Sequence, residues 1–266
     1  MVKSQATNTS QMHDVHLILA PKGGVGKSFI ASLLAQFSID RGQKMRVLDL
    51  DQSNATLAGF KALGGQAIDL LSDGGFDTEK MDGVMDILVR EPGPFIMDVG
   101  ASVFQDTWRY FTKYDISRGL EEQSRRLVYH VVLCGGTETV HGLSGFDAVA
   151  EASHGRQLVV WVNPFRGPVE LDGTDFLSMS VYRKHESKVL AVVILPVTDK
   201  ATMNDLSAIG KLNLVLDEAK TEPGIYFPSK QRLRVYRDDV FKQIDTAWPL
   251  VMGESIPEPE RVNVAG

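Results

Sequence analysis

The chain has 266 residues, enough for one large domain or for one domain with a small appendage. Hydrophobic residues make up 43% and charged residues 23% of it, the balance of an ordinary soluble globular protein. The net charge of -6 excludes a global positive field that would attract nucleic acid or anionic lipid, and the single cysteine, Cys134, excludes an intramolecular disulfide and suits a reducing cytosol.

Short apolar runs alternate along the chain with segments of helical periodicity. His16–Ala20 (HLILA) is predicted to be a buried strand, and a helix is predicted over 28–39. Further strands are predicted at 45–50, 95–99, 127–133, 158–162 and 190–195, whereas the Gly- and Asp-rich stretch 64–86 is predicted to form loops and a short helix. Apolar runs without clean alternation are typical of strands buried on both faces, so we predict an α/β fold with a mostly parallel, twisted sheet flanked by helices on both faces.

We find no linker that divides the chain, and therefore predict a single P-loop domain over residues 15–248. Residues 1–14 are polar and lack the apolar core of a signal peptide, so they are predicted to be an N-terminal extension. Residues 249–266 contain three prolines and are predicted to be a flexible tail. The apolar runs are too short to span a bilayer, so we expect no direct membrane insertion.

The first predicted strand runs into PKGGVGKS, residues 21–28, and then into a helix. In this context the glycines let successive backbone N–H groups face phosphate oxygens, Lys27 supplies charge to the β- and γ-phosphates, and Ser28 is a ligand for Mg²⁺. Pro21 departs from the usual pattern, which begins with glycine. The residues predicted to bind ATP or ADP here are Gly23, Gly24, Val25, Gly26, Lys27, Ser28 and Phe29.

Lys22 precedes the double glycine, where an ordinary phosphate loop requires no lysine. On composition alone it reads as a solvated loop lysine. However, KGGVGKS resembles the deviant Walker A loop of the ParA/MinD superfamily of ATPases. The resemblance implies an ATP-dependent homodimer in which Lys22 is catalytic, because it reaches the partner's nucleotide and stabilises charge there in trans.

The strand VLDLD ends with Asp49 and Asp51, and with the following residues 52–56 it resembles the switch I segment of this superfamily. The resemblance implies that both aspartates hold Mg²⁺ through water and that Asp51 orients the attacking water, with Asn54 as a phosphate-side contact. The superfamily usually has Asp-Pro-Gln here, whereas in this chain Gln52 directly follows Asp51. The alternative is an exposed aspartate that caps a turn.

The segment FIMDVG, residues 95–100, resembles a Walker B strand followed by switch II. An aspartate at the end of an apolar strand is costly to bury without a partner, and hydrated Mg²⁺ is such a partner. Asp98 is therefore predicted to hold the water shell of the metal, and Gly100 fits a switch that moves when the γ-phosphate leaves.

WVNP, residues 161–164, closes a late strand where the superfamily commonly has an asparagine that reads the adenine edge. This implies a base contact for Asn163, although an Asn-Pro pair is also a common start of a turn. By the same resemblance, the backbone at Pro196 is expected to pack against the base.

Several looser strings resemble the plasmid conjugal-transfer and stability branch of the superfamily: residues 98–102, 133–146, 163–173 and 227–235. This implies a dimeric switch of the bacterial cytoplasm that hydrolyses ATP slowly and holds or releases a plasmid-encoded DNA-binding or transfer protein. Two alternatives stay open. One is a nucleotide-binding scaffold without hydrolysis, and the other is a small-molecule kinase or ligase, which would need further Lys or Arg near the γ-phosphate.

Residues 230–248 combine an apolar stripe with basic residues that lie mainly off it. A docked C-terminal helix with a solvated basic face is the favoured interpretation. A helix that makes nonspecific contact with DNA is the alternative.

Overall fold

The computed structural model describes residues 12–51, 56–73, 75–155 and 157–251. In chain order the elements are β1 His13–Leu19, α1 Lys27–Asp40, β2 Arg46–Asp49, α2 Thr56–Gly59, β3 Gln66–Ala67, β4 Leu71–Ser72, β5 Gly75–Phe76, α3 Thr78–Arg90, β6 Phe95–Asp98, α4 Phe104–Lys113, α5 Ile116–Glu122, β7 Arg125–Cys134, α6 Thr139–Ala152, β8 Leu158–Asn163, β9 Glu170–Leu171, β10 Thr174–Asp175, α7 Ser180–His185, β11 Val189–Ile194, α8 Lys200–Lys211, α9 Leu216–Ala219 and α10 Phe227–Val251.

Seven strands form one sheet in the order β11-β8-β7-β1-β6-β2-β3. Every pairing within this sheet is parallel, and two small antiparallel hairpins, β4-β5 and β9-β10, lie outside it. The predicted α/β fold is confirmed, and each of the predicted strands is present. The short edge strand β3 was not predicted.

The stretch 64–86 was predicted to form loops and a short helix. The structure instead has a helix of 13 residues, α3, that begins in this stretch. The side chain of Asp77 accepts hydrogen bonds from the backbone N–H groups of Glu79 and Lys80, which caps the helix at its start. Met81, Val84 and Leu88 then form a buried stripe at helical spacing. The glycines and aspartates at the start of the stretch favoured the prediction of loops, although the apolar stripe is present in the sequence.

Helices cover both faces of the sheet and bury two hydrophobic clusters. The cluster on one face draws residues from α1, α8, α9 and α10, and the cluster on the other face draws them from α3, α4, α5 and α6. The stripe predicted along α10 is buried, including Leu233, Val240 and Trp248, so the interpretation of α10 as a docked helix is confirmed.

The ends of the described fold differ slightly from the predicted boundaries. Strand β1 begins at His13, inside the predicted extension, and α10 continues through Pro249 to Val251. The rest of the predicted extension and tail lies outside the described residues. Among the described helices, none has the length and apolar character needed to cross a bilayer.

Parallel pairing brings the carboxyl ends of the strands to one edge of the sheet. Asp98 pairs in register with Ile18 at the end of β1 and with Asp49 at the end of β2. On the other side, Asn163 pairs with Cys134 at the end of β7. The polar residues predicted to bind nucleotide therefore converge at this edge, where ligands of open α/β sheets bind.

Candidate nucleotide-binding site

The predicted phosphate loop lies between the end of β1 and the start of α1. Gly24 and Gly26 have φ angles of 71° and 101°, in the left-handed region that favours glycine. Gly26 directly precedes α1, so the unpaired N–H groups and the positive dipole end of that helix lie at the loop. This geometry is suited to binding phosphate.

Lys27 lies buried beneath the loop, with its Nζ 3.4 Å from the carbonyl oxygen of Lys22. Burial lowers the pKa of Lys27, and the charges of Asp98 and Asp51 oppose that shift. A buried ammonium group at this position is suited to bind phosphate oxygens.

Pro21, the residue that departs from the usual pattern, packs against α6. A Cβ atom built on Gly145 would lie 2.8 Å from Cδ and 2.9 Å from Cγ of Pro21. A glycine in α6 therefore makes room for the ring, and proline's fixed φ sets the entry of the loop. The residue thus has a packing role at the loop entry.

Asp98 is fully buried at the end of β6. Within the described part of the chain, neither of its carboxylate oxygens has a hydrogen-bond partner of normal geometry. Burial raises the pKa of Asp98 to about 7, although the Ser28 hydroxyl and the Lys27 ammonium oppose this shift. A buried carboxylate beside Ser28 with unsatisfied oxygens fits a hydrated Mg²⁺, whose charge and water ligands would compensate for its burial.

Asp49 is the last residue of β2 and Asp51 lies two residues beyond it, and the two side chains have different surroundings. The Asp49 Oδ1 accepts a hydrogen bond from the backbone N–H of Asp51 at 3.0 Å, and its Oδ2 accepts one from that of Ala58 at 2.9 Å. The Asp49 carboxylate thus links the backbone at Asp51 to α2. These contacts suit a residue that supports Asp51 better than a residue that binds the metal. Asp51 packs closely against the segment predicted to be switch II, since a Cβ atom on Gly100 would lie 2.9 Å from its Cα. The predicted contact at Asn54 falls in 52–55, outside the described residues.

A cavity of about 400 Å³ opens beside the phosphate loop. Its size and its largely apolar wall suit a purine base. Five residues predicted to contact nucleotide lie in its wall: Gly24, Gly26, Phe29, Asn163 and Pro196. The rest of the wall is formed by Pro164, Phe165, Thr198, Met203, Leu206, Ser207 and Tyr236.

The side-chain amide of Asn163 is held by the protein itself. Its Nδ2 donates to the carbonyl oxygen of Val25 at 2.9 Å, and its Oδ1 accepts from the backbone N–H of Phe165 at 3.2 Å. A Cβ atom on Gly26 would lie 2.7 Å from the Nδ2. Asn163 therefore supports the phosphate loop in this structure, whereas the resemblance implied that it reads adenine.

Two further residues beside the loop, Glu138 and Arg166, were not predicted from the sequence to have a role. Glu138 forms an ion pair with Lys22, with its Oε2 2.8 Å from the lysine Nζ. Arg166 lies 3.4 Å from Glu138 Oε1 through its Nη1, and its Nη2 donates to the carbonyl oxygen of Gly24 at 3.1 Å. The only signal in the sequence for either residue is its position shortly after a strand, β7 for Glu138 and β8 for Arg166, at the edge of the sheet where ligands bind.

Basic residues on α10 pair with carboxylates from other elements. Arg232 donates to Asp205 at 2.6 Å, and Arg237 lies 2.6 Å from Asp40 and 3.0 Å from Asp217. These pairs offset the charges of two of the basic residues that suggested contact with DNA.

Comparison with known proteins places this geometry in context. No family model matches the chain. Two curated relatives, both called Protein TraL from Escherichia coli, are each 31% identical over 238 residues, which cover 89% of this chain and 99% of the relative. Among solved structures, the MinD cell division protein of Aquifex aeolicus matches with a TM-score of 0.52 and 16% identity, over 92% of this chain and 98% of that one. The likeness to MinD concerns the fold.

Proposed function

This chain belongs to the TraL family and has the α/β fold of the ParA/MinD superfamily, and from that membership and the geometry of its phosphate loop we propose that it is an ATP-dependent switch. It binds ATP with Mg²⁺, dimerises around the nucleotide and hydrolyses it slowly. The switch acts in plasmid transfer or maintenance in the bacterial cytoplasm.

The observation that carries this proposal is the surroundings of Asp98. Its buried carboxylate lies beside Ser28 and Lys27 at the base of the loop, and neither of its oxygens has a hydrogen-bond partner of normal geometry within the described residues. Such a group is destabilising in isolation and is stabilised by a hydrated cation. A phosphate loop beside a buried carboxylate of this kind is the arrangement that Mg²⁺-ATP requires.

The residues of the loop and of the neighbouring strand ends have separate roles. Lys27 and the loop N–H groups bind the phosphates, while Ser28 and Asp98 would hold the metal. Bound Mg²⁺ would offset the charge of the β- and γ-phosphates. Asp51 orients the attacking water, supported by Asp49, and Lys22 stabilises the developing charge from the partner protomer.

The nucleotide state then controls a partner. A γ-phosphate that orders the switch segments and the dimer interface loses that effect on hydrolysis, so slow turnover sets how long a complex lasts. The partner we propose is a plasmid-encoded DNA-binding or transfer protein. Nonspecific contact with DNA would depend on cations other than Arg232 and Arg237, whose charges are offset within the chain.

Light scattering tests the proposal. The mass of the wild type should double with ATP but not with ADP or without nucleotide, and Lys22→Ala should lose phosphate release. Lys61→Ala, which removes an exposed lysine away from the loop, is the matched control. A wild type that stays monomeric with ATP would contradict the dimer, and full hydrolysis by Lys22→Ala would remove that lysine from the mechanism.

A second candidate is a nucleotide-binding scaffold without hydrolysis. It is favoured by the ion pair of Lys22 with Glu138 of its own chain, which holds the proposed catalytic lysine in its own protomer. An ATP-linked dimer that releases no phosphate above the background of a Lys27→Ala variant would support the scaffold over the switch.

A further inference from the structure

We propose that Glu138 restrains Lys22 within its own protomer and that Arg166 is the cation that stays on Glu138 when Lys22 leaves. The proposal rests on the proposed function, because it concerns the movement of Lys22 toward the partner's nucleotide. It assigns positioning roles to two residues that follow different strands.

The ion pair has one fixed member and one mobile member. The Glu138 side chain is 7% exposed and the Lys22 side chain 49% exposed. The lysine Nζ lies 2.8 Å from Oε2 and 3.0 Å from Oε1, so it contacts both carboxylate oxygens. This contact lowers the pKa of Glu138, which stays ionised. Lys22 is therefore the member that can move, and Glu138 is the one that stays.

Departure of Lys22 alone would leave a mostly buried carboxylate without its main cation. Burial of an unpaired charge is strongly unfavourable, so a second cation must hold it. Arg166 is in position, because its Nη1 is 3.4 Å from Oε1, one of the two oxygens that Lys22 contacts. A guanidinium can bind both oxygens of a carboxylate at once, so a small shift would let Arg166 replace Lys22. Thr137, 3.4 Å from Oε1 through its Oγ1, adds a neutral contact.

Glu138 and Arg166 are held together by the packing of their loops. A Cβ atom on Gly135 would lie 1.8 Å from the carbonyl oxygen of Gly167, and one on Gly136 would lie 2.6 Å from that of Arg166. Backbones this close cannot separate without breaking the packing of both glycines. The backbones that carry Glu138 and Arg166 are thus fixed relative to each other beside the loop, while the Arg166 side chain, 41% exposed, is free to make the small shift that replaces Lys22.

Arg166 also touches the phosphate loop directly. Its Nη2 donates to the carbonyl oxygen of Gly24 at 3.1 Å. A change in the loop on nucleotide binding therefore reaches Arg166 and alters its hold on Glu138. This contact links the occupied site to the release of Lys22.

The two residues should have opposite effects on dimerisation. Glu138→Gln keeps the side-chain shape but removes the charge, so Lys22 is free and dimerisation should require about tenfold less ATP. Arg166→Gln removes the replacement cation, so Lys22 stays on Glu138 and dimerisation should require about tenfold more ATP. The double variant should behave like Glu138→Gln, because Arg166 has no carboxylate left to hold.

The test measures dimer mass by light scattering against ATP concentration for the wild type, both single variants and the double variant. Arg90→Gln, which breaks an exposed ion pair with Asp86, is the matched control and should match the wild type. Binding of a fluorescent ATP analogue at protein concentrations too low for dimerisation verifies that each variant retains its folded site.

The proposal is supported if the two single variants shift the ATP concentration needed for dimerisation in opposite directions and the double variant behaves like Glu138→Gln. If both single variants weaken dimerisation, or if their effects simply add, the two residues are only structural and the proposal is wrong, while the proposed function stands. If none of the four proteins forms an ATP-linked dimer, the proposed function fails and this proposal fails with it.

Discussion

A Cβ atom on Gly100 would lie 2.9 Å from both the Cα and the Cγ of Asp51. Gly100, two residues after the end of β6, thus packs directly against Asp51, two residues after the end of β2. This contact joins the segments predicted to be switch I and switch II, and it makes the position of Asp51 depend on the absence of a side chain at residue 100.

Gly100→Ala should therefore displace Asp51 and slow ATP hydrolysis by about 100-fold, the usual cost of a displacement near 1 Å in a catalytic group. Binding of ATP should change little, because the loop and Lys27 remain in place. Phosphate release under single-turnover conditions and a fluorescent ATP analogue measure the two effects. Gly119→Ala, where a Cβ atom meets nothing within 4 Å, is the control and should leave both unchanged.

The contact between Pro21 and Gly145 predicts that a substitution of one residue restores the stability lost by substitution of the other. Gly145→Ala should destabilise the protein by about 1–3 kcal/mol, because the new methyl group overlaps the proline ring. Pro21→Ala should restore much of that loss in the double variant, since the ring atoms that clash are gone. Urea denaturation of the four proteins measures the coupling, with Gly83→Ala in the open surface of α3 as the control. Strict additivity would show that the two residues do not touch.

Asn163→Ala distinguishes support of the loop from recognition of the base. Loss of the buried hydrogen bond to the Val25 carbonyl should weaken ATP and GTP binding by the same factor, about tenfold. A residue that reads adenine would instead change the ratio of the two affinities. Ser207→Ala, in the wall of the same cavity, provides the comparison, and competition with both nucleotides measures the ratio.

Asp98→Asn should remove the effect of Mg²⁺ on ATP affinity, so that titrations with Mg²⁺ and with EDTA give the same value. Without nucleotide at pH 8, the variant should be more stable than the wild type. Burial raises the pKa of Asp98 to about 7, so at pH 8 the wild type carries a buried charge that the amide lacks. Asp73→Asn, at an exposed position, should show neither effect. A variant that still responds to Mg²⁺ would contradict the metal assignment.

A buried histidine pair predicts the acid sensitivity of the fold. Trp161 donates from Nε1 to His130 Nδ1 at 2.9 Å, so His130 is neutral with its proton on Nε2. That nitrogen lies 2.9 Å from His16 Nδ1, and His16 Nε2 has no partner among the described residues. Burial lowers the pKa of His16 to about 4 and that of His130 well below its usual value.

Because these pKa values lie below that of an unfolded histidine, the unfolded state takes up protons first. The free energy of unfolding should fall as pH drops from about 6.5 to 4, by about 3 kcal/mol from His16 alone. His16→Asn, which keeps an acceptor toward His130, should flatten this dependence in urea titrations at several pH values. His154→Asn, at an exposed site, should leave the slope unchanged. An equally steep slope in His16→Asn would exclude His16 as its source.

Local patterns in the sequence were enough to predict the sheet and the phosphate loop. Each buried strand is a continuous apolar run, and the glycines and lysine of residues 21–28 lie within a few positions of one another. The TraL relatives show the family to which the chain belongs, and the likeness to MinD agrees with the fold that these motifs predicted. Features that depend on neighbouring residues were therefore readable from the sequence alone.

Contacts between distant residues were decided only by the tertiary structure. Lys22 and Glu138 are 116 positions apart, and Asn163 and Val25 are 138 apart, so no local pattern records either contact. The motif indicated that Lys22 belongs to a switch, but parallel pairing of the strands brought Glu138 and Arg166 beside it. The same packing placed Gly145 under Pro21 and tied the Asn163 amide to the loop, because the loops that follow neighbouring strands meet at one edge of the sheet.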